Sequence, residues 1–351
     1  MKVLIIGPSP YRSKGGMATV IQNIQNDIKL NQQFNIDIFE SYIDGIKIKR
    51  LIYSVIAYFK FIKIYKNYDL FHIHMASRGS IFRKAKYVSI LKKSNKKVII
   101  HIHGSTFMAF YNKQNEKKKR FIKDLLNSVD MVIGLSDEWK RIFEEEFKLE
   151  NCVSLNNGIN AEIYADAINS IDMNQNNFLA LGRIGKRKGS YDLLNAIEKA
   201  IKIVPNLKCY MAGDGEVNKF KNMVRKRNLE KNIEITGWID FDEKIKLLKK
   251  VSTIVLPSYN EGLPMAILEG MACGKAIIST TAGAIPEVVK PENGIIIEPG
   301  DICGLRDALI RCCNDTEMIN KISKANIDKI NREFSVEIMH KRLGEYYKRN
   351  I

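Results

Sequence analysis

Glu261 and Glu269 stand with seven residues between them in YNEGLPMAILEGMACGKAIIST, a stretch too apolar to be a solvated face. The strand-like run TIVLPS precedes it, so Glu261 falls on a loop and Glu269 nearly two turns into the following helix. Gly262 allows close backbone approach, and Pro264 suits a first helical turn, where its missing N–H costs nothing. The N–H groups of Leu263, Met265 and Ala266 are then offered to an oxyanion at the helix start, where the dipole favours negative charge. Two carboxylates flanking such a start can accept hydrogen bonds from hydroxyls, as in a sugar and a ribose.

Two other loops suit anions. GRIGKRKG follows another strand-like run, and its Arg183 and Lys188 pair an always-charged fork with an ammonium, a combination suited to a diphosphate. A solvated basic loop would have the same composition. PSPYRSKGG leads from the first strand-like run toward a helix beginning near Met17, and Gly15 and Gly16 let backbone N–H groups approach an anion there. It is neither G-x-G-x-x-G nor a Walker lysine loop, and a double glycine also serves a simple turn.

Four of the five histidines form two H-x-H pairs, His72/His74 and His101/His103. Strand alternation puts both members of a pair on one sheet face. No cysteine or clustered carboxylate completes a ligand set for them, and no metal is expected. Ligands of open α/β sheets bind beyond the carboxyl ends of the strands, so His103, just before Gly104, is placed to donate to a substrate oxygen.

The elements that must position these residues are legible from periodicity. KVLIIG, FNIDIFE, YDLFHIH, KVIIHIH, MVIGLS and NCVSLNN read as strands in the first half; NFLALGR, LKCYMAGD, IEITGW, TIVLPS, KAIIST and GIIIEP do so in the second. Helical patterns over Met17–Asn26, Asn115–Asn127, Asp137–Phe147, Ser190–Val204, Glu216–Arg227, Asp242–Val251 and Met265–Met271 separate most of them. Alternating strands and helices imply parallel sheets covered on both faces, and two successive sets imply two α/β domains. The polar stretch Asn160–Asn177 is the expected linker, and the chain after Asp301 is expected to be helical to its end.

The 351 residues are enough for two domains, and an apolar share of 45% is that of a protein with a sizeable core. No apolar run is long enough to span a bilayer and MKVLIIGPSP is too short for a signal peptide, so a cytoplasmic protein is expected. The six cysteines show no zinc spacing and read as reduced thiols. A formal charge of +17 points to an anionic partner: nucleic acid, an anionic membrane face or phosphorylated substrates. GIKIKRLIYSVIAYFKFIKIYKNY and NKQNEKKKRFIK mix lysine with aromatic and aliphatic residues, a pattern suited to anionic lipid, although a core helix with a basic exposed side fits the first as well.

Together these residues resemble retaining glycosyltransferase family 4, whose α/β GT-B fold has two Rossmann-like domains facing across a cleft. The resemblance covers nearly the whole chain through GGM, HIHG, NNGIN, GRIGKRKG, AGDGE, TGW, the E-x(7)-E stretch and NGIIIEPGD, in the family's order. It implies an acceptor-side domain over 1–165, a nucleotide-sugar domain over 166–334 and a C-terminal helix, 335–351, packing back on the first. It also implies that Arg183 and Lys188 hold the donor diphosphate, that Glu261 meets the donor sugar and that Glu269 meets the ribose. Gly262, Leu263 and Pro264 would complete the phosphate site, and Gly213, Gly237 and Trp238 would border the base. Gly15 and Gly16 would close over the phosphate, with His103 near the transferred sugar. His103, Glu261, Arg183 and Lys188 would thus form the catalytic set, with no metal and no cofactor beyond the nucleotide-sugar substrate, expected to be a UDP-sugar. No covalent nucleophile is implied.

HIHMASRGSIFRK further resembles members that assemble bacterial surface polysaccharides (capsule, O-antigen or exopolysaccharide). It places His74, Ser77, Arg78, Ser80 and Arg83, with Lys84, toward a polyprenyl-linked saccharide acceptor at the inner face of the cytoplasmic membrane, where a peripheral protein would dock; a basic helix start on the surface is the alternative. Two rival functions remain at this stage. One is a nucleotide-sugar 2-epimerase on the same fold; the other is a basic nucleic-acid-binding protein, against which stands the absence of an RNP or helix-turn-helix pattern.

Overall fold

Aliphatic runs such as VLII at Val3–Ile6 have no polar face to show water, and they become inner strands of parallel sheets. The computed structural model describes residues 1–13, 15–168 and 176–350. Lys14 of the glycine loop and residues 169–175 of the expected linker lie outside the described residues. The described residues divide into two compact units, one of Met1–Gly158 with the C-terminal helix Val336–Lys348, the other of Ile159–Ser335. The chain therefore changes unit after Gly158, and the short helix Ala165–Ile168, where 1–165 was expected to give way to 166–334, belongs to the second unit.

The first unit holds β1 (Val3–Pro8), β2 (Ile36–Tyr42), β3 (Leu70–Met75), β4 (Lys97–Ile102), β5 (Met131–Gly134) and β6 (Cys152–Ser154), in the order β2-β1-β3-β4-β5-β6. All pairings are parallel, and the β3–β4 register sets His74 beside His101. The strand order reverses between β1 and β3, a point that opens a crevice beyond the strand ends. On one face of this sheet Met339, Leu343 and Tyr347 of the C-terminal helix join Val3, Ile5, Ile21 and Phe34 in a single core. Their helical spacing makes the apolar stripe that requires this cover.

One feature departs from the sequence expectation, and another decides between its two readings. A second helix, Ile28–Phe34, follows directly on Gly16–Asn26, because the Asp27 carboxylate accepts from the Leu30 N–H at 2.6 Å and caps a new start. The helix Lys47–Ile64 is not a core helix with a basic outer side. Among the described side chains of this helix only Ala57 and Phe61 are buried, while Ile48, Leu51, Ile52, Val55, Ile56 and Phe59 are exposed. An exposed aliphatic face of this length is the informative kind of surface.

The second unit holds β7 (Asn177–Leu181), β8 (Lys208–Ala212), β9 (Ile233–Gly237), β10 (Thr253–Leu256), β11 (Ala276–Thr280) and β12 (Gly294–Ile297), in the order β12-β11-β10-β7-β8-β9. Counted from its own first strand this is the doubly wound order 3-2-1-4-5-6, with its reversal between β7 and β10. Leu193, Ile197, Phe220, Val255, Ile278 and Leu309 belong to its core, so helices cover the sheet as the continuous apolar strands require.

Candidate active site

At the reversal between β7 and β10, two loops leave adjacent strand ends. One carries Arg183 to Lys188, ends in the short turn Lys186–Lys188 and enters the helix Ser190–Ala200. The other carries Tyr259 to Pro264 and enters the helix Met265–Ala272. They can meet because Gly189 adopts a φ of +67°, and a Cβ there would stand 1.9 Å from the Pro257 carbonyl oxygen. The Tyr259 N–H donates to the Arg187 carbonyl at 2.9 Å, and Arg187 Nη1 donates to the Asn260 carbonyl at 3.0 Å.

This stitching sets Lys188 Nζ 2.6 Å from Glu261 Oε1, with Arg187 Nη1 3.6 Å from the same oxygen. Glu261 is only 6% exposed, so the carboxylate is buried and compensated by neighbouring cations. Its backbone is fixed from the third side by Gly283, at φ +56°, where a Cβ would stand 2.0 Å from the Glu261 carbonyl oxygen. The Ala284 N–H donates to the Gly262 carbonyl at 3.1 Å. Pro264 takes the cap position rather than the first turn, with no side-chain cap, and the helix start lies directly behind Glu261. Gly262, Leu263 and Pro264 are buried with it.

Glu269, inside that helix, accepts from Lys244 Nζ at 2.7 Å. The same ammonium lies 3.4 Å from the Tyr164 hydroxyl, and burial together with the Glu269 charge pushes the Tyr164 phenol far above its ordinary range. Tyr164 therefore stays protonated beside the carboxylate. Lys244 was not singled out from the sequence. The signal that could have located it is the Asp240/Glu243 capping box, which fixes the start of the helix Phe241–Lys250 and hence the face on which Lys244 falls.

The neighbouring strand ends are also tied together. The Gly213 N–H donates to the Gly237 carbonyl at 2.7 Å, and the Ile184 N–H to the Asp214 carbonyl at 2.7 Å. Trp238 follows with its side chain 55% exposed. Arg183 is not in the buried pair. It is exposed and faces Asp214 at 3.5 Å, a solvent-screened contact that leaves it available to an anion.

In the first unit, Gly15 at φ +113° caps the helix Gly16–Asn26, and the N–H of Ala18 returns to its carbonyl at 3.0 Å. At the ends of β3 and β4 the four histidines form one stack. His74 Nδ1 lies 2.8 Å from His103 Nε2, His72 Nε2 lies 3.3 Å from His101 Nδ1, and His72 Nδ1 lies 2.8 Å from the Tyr347 hydroxyl. Burial pushes His72 and His103 down to about 3, and His74 and His101 well below the ordinary histidine range, so the stack is neutral near pH 7. No ligand set was expected from the sequence, because spacing within each pair does not show that the two pairs complete each other: one ring nitrogen each from His72, His74 and His101 lie within 4.8 Å of one another, a grouping that could hold a metal ion.

Beyond the stack, Gly104 passes so close to β3 that a Cβ would stand 2.9 Å from the Ser77 nitrogen. Ser77 Oγ pairs with Thr106 Oγ1 at 2.8 Å, Ser80 Oγ accepts from the Ala76 N–H at 3.2 Å, and Arg78 holds a left-handed φ of 58° at the start of the helix Gly79–Lys93. Arg83 stacks its guanidinium over Tyr42 at 5.0 Å. Lys84 is buried and donates to the Ile6 carbonyl at 3.2 Å and to Ser41, bracing the strands.

Residues 27–163 match the model of Glycosyltransferase Family 4, and residues 164–329 match that of Glycosyl transferases group 1. An uncharacterized glycosyltransferase of Methanocaldococcus jannaschii is 31% identical over 96% of this chain and 95% of its own. The chain belongs to glycosyltransferase family 4. It is a glycosyltransferase, and its two parallel sheets are those of the GT-B fold. Another family relative is the UDP-Gal:alpha-D-GlcNAc-diphosphoundecaprenol alpha-1,3-galactosyltransferase of Escherichia coli, 28% identical over 81% of this chain and 76% of its own. Similar solved structures include sucrose-phosphate synthase from Thermosynechococcus elongatus, with a TM-score of 0.81, 18% identity and coverage of 99% and 98%. Anabaena HepE in complex with UDP-glucose likewise gives 0.81 at 18% identity, covering 99% of each chain.

Proposed function

We propose that this family 4 enzyme is a retaining, metal-independent hexosyltransferase that moves a sugar from a UDP-sugar to a polyprenyl-linked saccharide in the synthesis of a bacterial surface polysaccharide. The observation that carries this reading is the buried Glu261 carboxylate, held against Lys188 in front of a helix start. Both ion pairs run to Oε1, and Oε2 is the oxygen we assign to the donor sugar hydroxyls. An ammonium has three donors, so Lys188 can keep Glu261 and still reach the diphosphate. Arg183 and the helix start share the charge that grows as the diphosphate leaves. Glu269, paired with Lys244, accepts from the ribose hydroxyls. His103, through Nδ1, hydrogen-bonds the transferred sugar.

In the reaction the bond from the anomeric carbon to the diphosphate breaks, and the acceptor oxygen bonds to that carbon on the same face. The acceptor proton passes to the departing phosphate oxygen, and the nucleoside diphosphate leaves. The cationic side chains do the neutralising that a divalent ion does elsewhere. The donor and acceptor named for the Escherichia coli galactosyltransferase support a UDP-sugar and a lipid-linked acceptor, and the UDP-glucose bound by HepE supports the former. No helix among the described residues is long and apolar enough to cross a membrane. The exposed apolar and basic helix Lys47–Ile64 is the element by which the protein would dock on the inner leaflet.

A panel of nucleotide sugars screened by thermal shift tests the donor assignment. A UDP-sugar should raise the melting temperature by mass action, and no shift with any UDP-sugar would overturn it.

A further inference from the structure

We propose that the first unit carries a two-part site for a diphosphate-linked polyprenyl chain, with the hydrocarbon in the groove between helices Lys47–Ile64 and Gly79–Lys93 and the diphosphate between Arg50 and Arg83 at its inner end. The site rests on the lipid-linked acceptor reading above and gives that acceptor a place.

The groove measures about 640 Å³, and Leu51, Val55, Tyr58, Phe59 and Tyr87 line its apolar length. That is the size of a small-molecule site rather than of a surface dent. A second cavity of about 350 Å³ adjoins it, lined by His74, Ser77, Ser80 and Met17. The two cavities share Tyr42, Arg50, Gly79 and Arg83. The arginines therefore stand on the border between an apolar groove and a more polar one. A polyprenyl diphosphate saccharide has the same sequence of chemistry: hydrocarbon, anion, hydroxyls.

The arginines are arranged for an anion. Arg50 Nη1 donates to the Tyr42 hydroxyl at 3.1 Å, and Arg83 lies over the ring of the same tyrosine at 5.0 Å. The buried Nε of Arg50 has no partner among the described residues. Asp44 lies on the Arg50 side; at Arg83 burial lowers the proton affinity, Tyr42 and Tyr87 raise it, and the like charge of Arg50 lowers it further. A diphosphate between the two forks relieves that repulsion and offers oxygens to both. Lys86 adds a third cation to the groove wall. Outside the groove Ile48, Ile52 and Ile56 of the same helix are 69%, 55% and 48% exposed, so a chain longer than the groove continues along an apolar face.

Calorimetric titration of the full chain with farnesyl diphosphate, farnesol, inorganic pyrophosphate and phosphatidylglycerol vesicles tests the site. Farnesyl diphosphate should bind at least tenfold more tightly than farnesol or pyrophosphate. Arg50→Gln, alone and with Arg83→Gln, should bring it toward the farnesol value, and Leu51→Asn with Phe59→Ser toward the pyrophosphate value. Arg50 is half-buried, and Leu51 and Phe59 are exposed, so the fold tolerates those changes even if Arg83→Gln does not. No preference for farnesyl diphosphate, or an undiminished preference in Arg50→Gln, overturns the proposal. So does a loss of vesicle binding in Arg50→Gln with farnesyl diphosphate binding intact, which would make this a docking surface only. Failure of the acceptor reading looks different: farnesyl diphosphate still binds through Arg50, but no polyprenyl-linked saccharide is glycosylated.

Discussion

Lys188 and Glu261 come from loops 73 residues apart and meet as a buried ion pair at 2.6 Å. Neither loop could hold its charge alone at this depth. The pair exists because two strand ends at the reversal of the sheet are adjacent and because Gly189 and Gly283 let the backbones touch.

Glu261→Gln keeps the shape and removes the charge. Turnover should fall by roughly 10²-fold or more, the scale of one charge-assisted contact made in the transition state. The variant also leaves the Lys188 ammonium facing a neutral amide, so its melting temperature should drop. Near-normal turnover in a folded variant would sink the role given to this carboxylate.

The metal-independent reading predicts that activity survives excess EDTA, because Arg183 and Lys188 stand where an ion would be needed. Loss of turnover on chelation, with recovery on adding magnesium or manganese, would show that the loop has been misassigned. Recovery with zinc instead would direct attention to His72, His74 and His101.

Acid should loosen the first unit. Burial holds His72 and His103 neutral with folded values near 3 and keeps His74 and His101 well below the ordinary histidine range, against ~6.5 for the unfolded chain, so below pH ~6.5 the unfolded state takes up protons that the folded state refuses. Stability is thus full above pH ~6.5 and declines toward pH ~3, by roughly 1 kcal/mol per pH unit for each ring. The melting temperature should fall between pH 7 and pH 5. A flat profile over that window would contradict a neutral buried stack.

Liposome co-sedimentation addresses docking. The lysines within Lys47–Tyr68 and Lys113–Lys123 should favour anionic over neutral vesicles at low salt, at about 1 kcal/mol for each basic residue near the surface. High ionic strength should weaken that preference. Equal pelleting with both lipids, or none with either, would remove the electrostatic account.

Most of the strands were legible because each is a short aliphatic run that a half-exposed surface would not tolerate, the edge strands Ile36–Tyr42 and Ile233–Gly237 because apolar and polar residues alternate in them, and the E-x(7)-E stretch because its carboxylates sit among apolar neighbours. What escaped were partnerships across long separations. Nothing adjacent in sequence ties Lys244 to Glu269 or His72 to Tyr347, because sheet order rather than spacing brings them together. The stretch that forms the helix Lys47–Ile64 was open to two readings for another reason. Its apolar residues are too many for one buried stripe, and periodicity alone does not say which side meets the sheet; the structure buries Ala57 and Phe61 and leaves the aliphatic side outward.

The most direct test of the account is the stereochemistry of transfer. The full chain, a UDP-α-hexose and a polyprenyl-linked saccharide are incubated together, and the anomeric configuration of the first product is read by NMR. The account predicts an α-linked product formed with release of UDP, and its loss in Glu261→Gln. A β-linked product, or conversion of the nucleotide sugar with no acceptor present, would contradict it.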